Sequence, residues 1–184
     1  MRVEQLRATY QLEIQWTHFP LHPDTPEEGL TLEQLFAGRK IDISAANTEM
    51  AQLMATEGLP YGDRSMTYNS RLAQELAQWA GLHEDGDRIH DELFRAYFVD
   101  NKNLAHLDTL LDLAANLGLP PDEARAVLAS REMGHLVDAD WQRARTLGIQ
   151  AVPSFLVGDR LVVGAQPYPV LEELVLVAGA GRRA

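Results

Sequence analysis

Few residues in this chain have the type and spacing to do chemistry, and the thiol is missing altogether. There is no cysteine among the 184 residues, so thiolate nucleophiles, disulfides and thiolate metal sites all drop out. Ser65 and Ser154 carry hydroxyls, but neither sits in a G-x-S-x-G elbow, and a hydrolase triad is not expected. His83 and His90 lie among Asp85, Asp87, Asp91 and Glu92. No H-x-x-x-H spacing gathers them on one helical face, so they read as a solvated surface and no metal site is expected. No glycine-rich phosphate loop is present. What remains is a backbone feature, Gly148-Ile-Gln-Ala-Val-Pro-Ser-Phe-Leu-Val-Gly158, followed by Gly164-Ala-Gln-Pro167. It reads as a helix end, a tight bend through Val152-Pro153 and an apolar strand. Taken alone, Pro153 reads as an ordinary trans proline, the common state of X–Pro bonds.

The elements that position this bend can be read from periodicity. Arg2 to Tyr10 places Val3, Leu6 and Tyr10 on one helical face. With no N-cap or full first turn ahead of it, the run resembles the second half of a helix. Glu13 to Phe19 alternates, with Ile14, Trp16 and His18 on one side, and predicts a strand ended by Pro20, Pro23 and Pro26. From Glu28 to about Leu147 the pattern is helical, stripe after stripe. Leu32 to Phe36 forms a short turn, and Asp42 or Ser44 caps a helix with Met50, Leu53 and Met54. Asn69 or Ser70 caps Arg71 to Ala80, which stops at Gly81. Asp85 or Asp87 opens a helix with Ile89, Leu93, Ala96 and Tyr97, and Leu107, Leu110, Leu111 and Ala114 form the next stripe. Pro120-Pro-Asp-Glu starts Ala124 to Ala129, and His135 to Leu147 follows. Phe155–Val157 and Arg160–Val163 then form a hairpin across Gly158-Asp159, and Tyr168 to Val177 a last helix. The tail from Gly179 should fray.

Composition narrows the class. The net charge of −11 disfavours nucleic acid or an anionic membrane as a partner. No stretch has the run of about 18 apolar residues that a membrane span needs, and the start lacks the features of a signal peptide. A cytoplasmic protein is the default expectation.

At this point the motifs resemble a known family. Trp16-Thr-His-Phe-Pro-Leu-His-Pro-Asp-Thr-Pro26 is similar to the W-x-P-F-x-L-N-P-D-x-P strand and loop of FrnE-like members of the DsbA family. These are relatives of 2-hydroxychromene-2-carboxylate isomerase and the kappa-class glutathione transferases. Asn69-Ser-Arg-Leu-Ala73 resembles the N-T-x-x-A-H-R-L helix start, with the histidine out of register. Ala96-Tyr97-Phe98 before Asp100-Asn101, Gly148 to Phe155, and Gly164-Ala-Gln-Pro167 resemble three further motifs. The resemblance implies a thioredoxin-like α/β fold with an all-helical insertion. The thioredoxin-like domain would be discontinuous, 1–27 and 146–184, and the insertion would be 28–145.

It also implies a cis Val152–Pro153 bond and a site for a substrate chain. A peptide or glutathione would add to the backbone of Val152 like a short strand. Substrate-binding residues would then be Val152, Pro153, His18 beside the proline, and Asn69. For His18 a hydrogen-bonded structural role is the simpler reading, and for Asn69 an N-cap. The implied activity is thiol–disulfide oxidoreduction, which needs a thiolate at a helix N-terminus. The alternatives are a glutathione-dependent isomerase or transferase, or a non-catalytic binding protein. No cofactor is implied beyond glutathione. Partners would be a peptide or a small thiol or disulfide, and the oligomeric state, a homodimer included, stays open.

The family begins with a strand and S-D-x-x-C-P-W-C, and neither is present here. The deficit is roughly 15–20 residues. The resemblance places that strand between Ile14–His18 and Phe155–Val157, where its loss would cost on the order of 1–3 kcal/mol per buried unpaired group. Met1 as an internal methionine of a longer product is therefore the favoured expectation, ahead of a truncated paralogue.

Overall fold

Chain direction and capping chemistry set nine helices and four short strands among the described residues, 2–183, of this computed structural model. The expectation concerning Met1 lies outside those residues. The order is α1 (Arg2–Thr9), β1 (Leu30–Thr31), α2 (Leu32–Leu35), α3 (Ile43–Thr56), β2 (Met66–Thr67) and α4 (Arg71–Ala80). A 3-10 turn (Gly86–Arg88) leads into α5 (Ile89–Phe98), α6 (Leu107–Asn116), α7 (Pro121–Ser130) and α8 (Gly134–Thr146). The chain closes with β3 (Ser154–Val157), β4 (Arg160–Val163) and α9 (Tyr168–Val177). Two units result: His22–Ala139, and the residues up to Leu21 together with those from Asp140 on.

In the helical unit local chemistry fixes the helix starts. Thr31 and Gln34 cap α2 reciprocally: Thr31 Oγ1 accepts from the Gln34 amide, and Gln34 Oε1 from the Thr31 amide. Asp42 Oδ1 accepts from the Ala45 amide at 3.0 Å and starts α3. Pro121 occupies the first turn of α7, where its missing N–H costs nothing. The core is built on α4, whose Ala73, Leu76, Ala77, Trp79 and Ala80 pack with residues of α5, α6 and α7. The stripes Ile89–Leu93–Ala96 and Leu110–Leu111–Ala114 are buried in it. α3 differs, since none of its residues is buried and Met50 and Leu53 are exposed. Alternation could not reveal β1 and β2: two residues each, they pair antiparallel, Leu30 with Thr67 and Thr31 with Met66.

In the other unit β3 and β4 form the expected hairpin, with Phe155 opposite Val162 and Gly158 turning at φ 63°. Phe155 and Val157 pack on a small core of Leu6, Tyr10, Leu171 and Val175.

Two expectations are corrected here. Residues 13–19 do not form a strand. Alternation makes a ribbon only when a neighbouring edge forms a ladder with it, and among the described residues no strand or β-bridge is formed by this segment. Trp16 is 37% exposed, so the inward face breaks at its centre. The tail from Gly179 does not fray as a whole. Gln11 donates to the Gly181 carbonyl and the Arg183 amide to Thr9, both near 2.9 Å, and Arg182 bridges Tyr10. Tyr10 is the reason: its ring is fully buried, its hydroxyl donates to Glu172 at 2.8 Å, and Arg182 lies over the ring. The bond to Glu172, with burial, raises the Tyr10 pKa and keeps the hydroxyl a donor.

Candidate functional site

The bend before β3 is assembled from both ends of the chain. α8 stops as Gly148 takes φ 68°, and the Ile149 amide folds back onto the Ala144 carbonyl. The Val152–Pro153 peptide bond is cis. Ser154 Oγ donates to the Ala151 carbonyl at 2.7 Å, and the Gly164 amide to the Pro153 carbonyl at 2.8 Å. The Gly164-Ala-Gln-Pro167 segment is held in turn by Arg2, whose guanidinium donates to the Gln166 carbonyl at 2.7 Å. Gln166 Nε2 donates to the Val163 carbonyl. The carbonyls of Ala151 and Pro153 are tied down, while Val152 is 47% exposed and its own N–H and C=O meet no protein partner among the described residues. A short rigid edge with open backbone groups can take an extended chain by strand addition.

His18 lies in the same unit and is anchored to α8. Asp140 Oδ2 accepts from the His18 backbone N–H at 3.0 Å and lies 3.0 Å from its Nδ1. Both side chains are largely buried, so Asp140 fixes the irregular run around His18 in place of a sheet ladder.

Asn69 belongs to the helical unit. Its Nδ2 donates to the carbonyls of Thr25 at 2.7 Å and Pro23 at 3.1 Å, and its Oδ1 accepts from the Arg71 amide. Asn69 thus clamps the proline-rich loop to the start of α4. Ser70, the residue at the N-cap position, makes no side-chain cap bond.

Sequence reasoning missed a buried ionic group beside this clamp. Glu75, 1% exposed, receives Arg131 through Nε at 2.7 Å and Nη2 at 2.6 Å, and Arg71 Nε at 2.7 Å. Arg71 also donates to Asp138 and to the Gly134 carbonyl. Burial pushes the Glu75 carboxyl upward, but the two guanidinium groups outweigh it and hold the pKa below its ordinary value. The Arg71–Glu75 spacing of i, i+4 was a legible signal; the reach to Arg131 was not. Among the described residues no cluster of His, Asp or Glu could hold a metal ion, and no helix is long and apolar enough to cross a membrane.

Comparison with known proteins agrees with this geometry. The profile of the family described as DSBA-like thioredoxin domain matches residues 1–175. YwbO, an uncharacterized protein of Bacillus subtilis, is 24% identical over 166 residues, which cover 89% of this chain and 81% of YwbO. Among solved structures, the probable DsbA oxidoreductase SCO1869 from Streptomyces coelicolor superposes with a TM-score of 0.87 at 26% identity. That match covers 96% of this chain and 81% of SCO1869. The cytosolic disulfide reductase DsbM from Pseudomonas aeruginosa, solved with GSH, shares the fold at a TM-score of 0.54 and 23% identity, covering 71% of this chain and 73% of DsbM. The chain belongs to the DSBA-like thioredoxin domain family, and its fold is thioredoxin-like with a helical insertion.

Proposed function

We propose that this DSBA-like domain supplies the substrate-docking part of an FrnE-like thiol–disulfide oxidoreductase that works in the cytoplasm. The observation that carries the reading is the open backbone edge at Val152, braced on both sides, in a chain matched by the family profile from residue 1 to 175. The likeness to SCO1869, described as a probable DsbA oxidoreductase, supports the reaction class. The cytosolic setting named for DsbM is in keeping with the compartment.

The chemistry divides into two parts. An extended substrate, a peptide or glutathione, lies along Val152 with its N–H and C=O paired and its sulfur held near Pro153. Exchange then requires a thiolate to attack that sulfur and form a mixed disulfide. None of the 184 residues can provide it, so the thiol comes from a further polypeptide segment or a small molecule. The same docking edge without any thiol partner would act as a binding module for an extended chain.

The test is an insulin-reduction assay on two proteins: the 184 residues alone, and the same chain with a strand-and-helix segment bearing Cys-x-x-Cys grafted ahead of α1. The first should stay at background and the second should turn over. Turnover by the ungrafted chain would overturn the reading. A grafted protein inactive on insulin but active in glutathione-dependent isomerisation would move the assignment to the isomerase class.

A further inference from the structure

We propose that Arg2 is a positioning residue for the docking edge: it holds the loop that in turn holds Pro153, and so keeps the Val152 backbone set for an incoming chain. The role rests on the reading of Val152 as a docking edge, and the experiment below separates the failure of one from the failure of the other.

The cis bend has one tie from its own neighbours and one from across the hairpin. Ser154 Oγ secures the Ala151 carbonyl within three residues. The Pro153 carbonyl instead depends on the Gly164 amide, just past the end of β4, where Val163 stands opposite Ser154. Gly164 has φ 92°, a conformation that side chains oppose and glycine adopts freely. The loop it opens is closed on itself, with the Gln166 amide donating to the Gly164 carbonyl at 2.9 Å and Gln166 Nε2 to the Val163 carbonyl at 2.7 Å.

Arg2 fastens that loop from outside. Its Nη1 donates to the Gln166 carbonyl at 2.7 Å and to the Ala165 carbonyl at 3.3 Å. The guanidinium reaches out from an anchored helix, because Leu6 of α1 and Tyr10 just beyond it are buried against Leu171 and Val175. A continuous line therefore runs from the small core through α1 and Arg2 to Gln166, Gly164 and the Pro153 carbonyl. Hydrogen bonds from a charged donor are stronger than neutral ones. None of Arg2, Ala165 and Gln166 belongs to the apolar core, so loosening them frees the loop and leaves the packing of α1 on α9 in place. Strand addition gains from an edge whose ordering cost is already met, and Arg2 supplies that order here.

The experiment is NMR of the 184-residue chain, with amide exchange measured at Gly164 and the Val152 amide followed during titration with oxidised glutathione. With no cysteine present, the probe binds without reacting. In Arg2→Gln, Gly164 exchange should rise about tenfold and affinity for the probe should fall about fivefold. Exchange at Leu174 and Val175 should not change, and Arg2→Lys, which keeps a charged donor, should recover most of both losses. Equal affinity in the parent chain and Arg2→Gln would overturn the role of Arg2 alone. So would a rise in exchange shared by Leu174 and Val175, or no recovery in Arg2→Lys. No saturable shift at Val152 in the parent chain would overturn the docking reading, and this role with it.

Discussion

The helical unit and the hairpin-bearing unit solve the same packing problem with different resources. The first buries a broad core over four helices and closes a charged group inside it, with Glu75 under two arginines. The second has a core of Leu6, Tyr10, Leu171 and Val175, and holds its segments with polar ties that span the chain. Arg2 holds the loop before α9, Tyr10 meets Glu172 and Arg182, and Asp140 holds His18. Contacts made within or between successive helices give a self-sufficient core. Where a unit is drawn from both chain ends, side-chain hydrogen bonds take over the work of a sheet.

The largest effect that would sharpen this contrast is a core truncation in each unit. Leu76→Ala, at a fully buried position of α4, should cost roughly 3–5 kcal/mol in urea unfolding, since the dense surroundings cannot collapse on the cavity. Leu171→Ala, 2% exposed in the small core, should fall toward the lower end, about 2–3 kcal/mol. Equal costs would break the comparison.

Next comes the buried carboxylate. Arg131→Gln removes two donors from Glu75 but leaves Arg71, and Arg131 is itself half exposed. A loss of roughly 1–3 kcal/mol follows, below that for a fully buried pair. The pH dependence has a definite sign. Glu75 is held below the ordinary value of 4.5, so the unfolded chain binds its proton first and stability falls as pH drops from about there through the lowered native pKa. Urea midpoints from pH 7 downward should show this acid loss, and it should shrink in Arg131→Gln. A steeper loss in the variant would contradict the assignment.

In the smaller unit Asp140→Ala should cost about 1–2 kcal/mol and raise amide exchange at His18, leaving the helical core protected. Protection at His18 unchanged by the substitution would show that Asp140 is not its anchor. The smallest effect belongs to Asp42→Ala, which removes the α3 cap for roughly 1 kcal/mol of helix stability. Because α3 buries nothing, helical content by circular dichroism should fall slightly while the global unfolding midpoint barely moves.

Much of the fold was legible because helices declare themselves locally. The stripes of α5 and α6 and the Asp42 cap follow from spacing and single side chains, and so does the proline start of α7. The hairpin β3–β4 is readable because both strands flank one turn. The run from Glu13 to Phe19 shows the limit, since its alternation is compatible with a strand but contains no information on whether a partner edge exists. At the candidate site, Val152 and Pro153 stood out by motif, and Asn69 by its capping chemistry. The tie of His18 to Asp140 joins residues 122 positions apart, and no local pattern encodes it.

Composition and periodicity by themselves determined the helices, the bend at Val152-Pro153 and the absence of any thiol chemistry within these residues, because each depends on neighbours in the chain. The tertiary structure decided which side chains became anchors: Tyr10 and Asp140 in one unit, Glu75 and Asn69 in the other. Those roles depend on burial and on partners far away in sequence, and a hydrogen bond or ion pair gains its strength only where folding has excluded water.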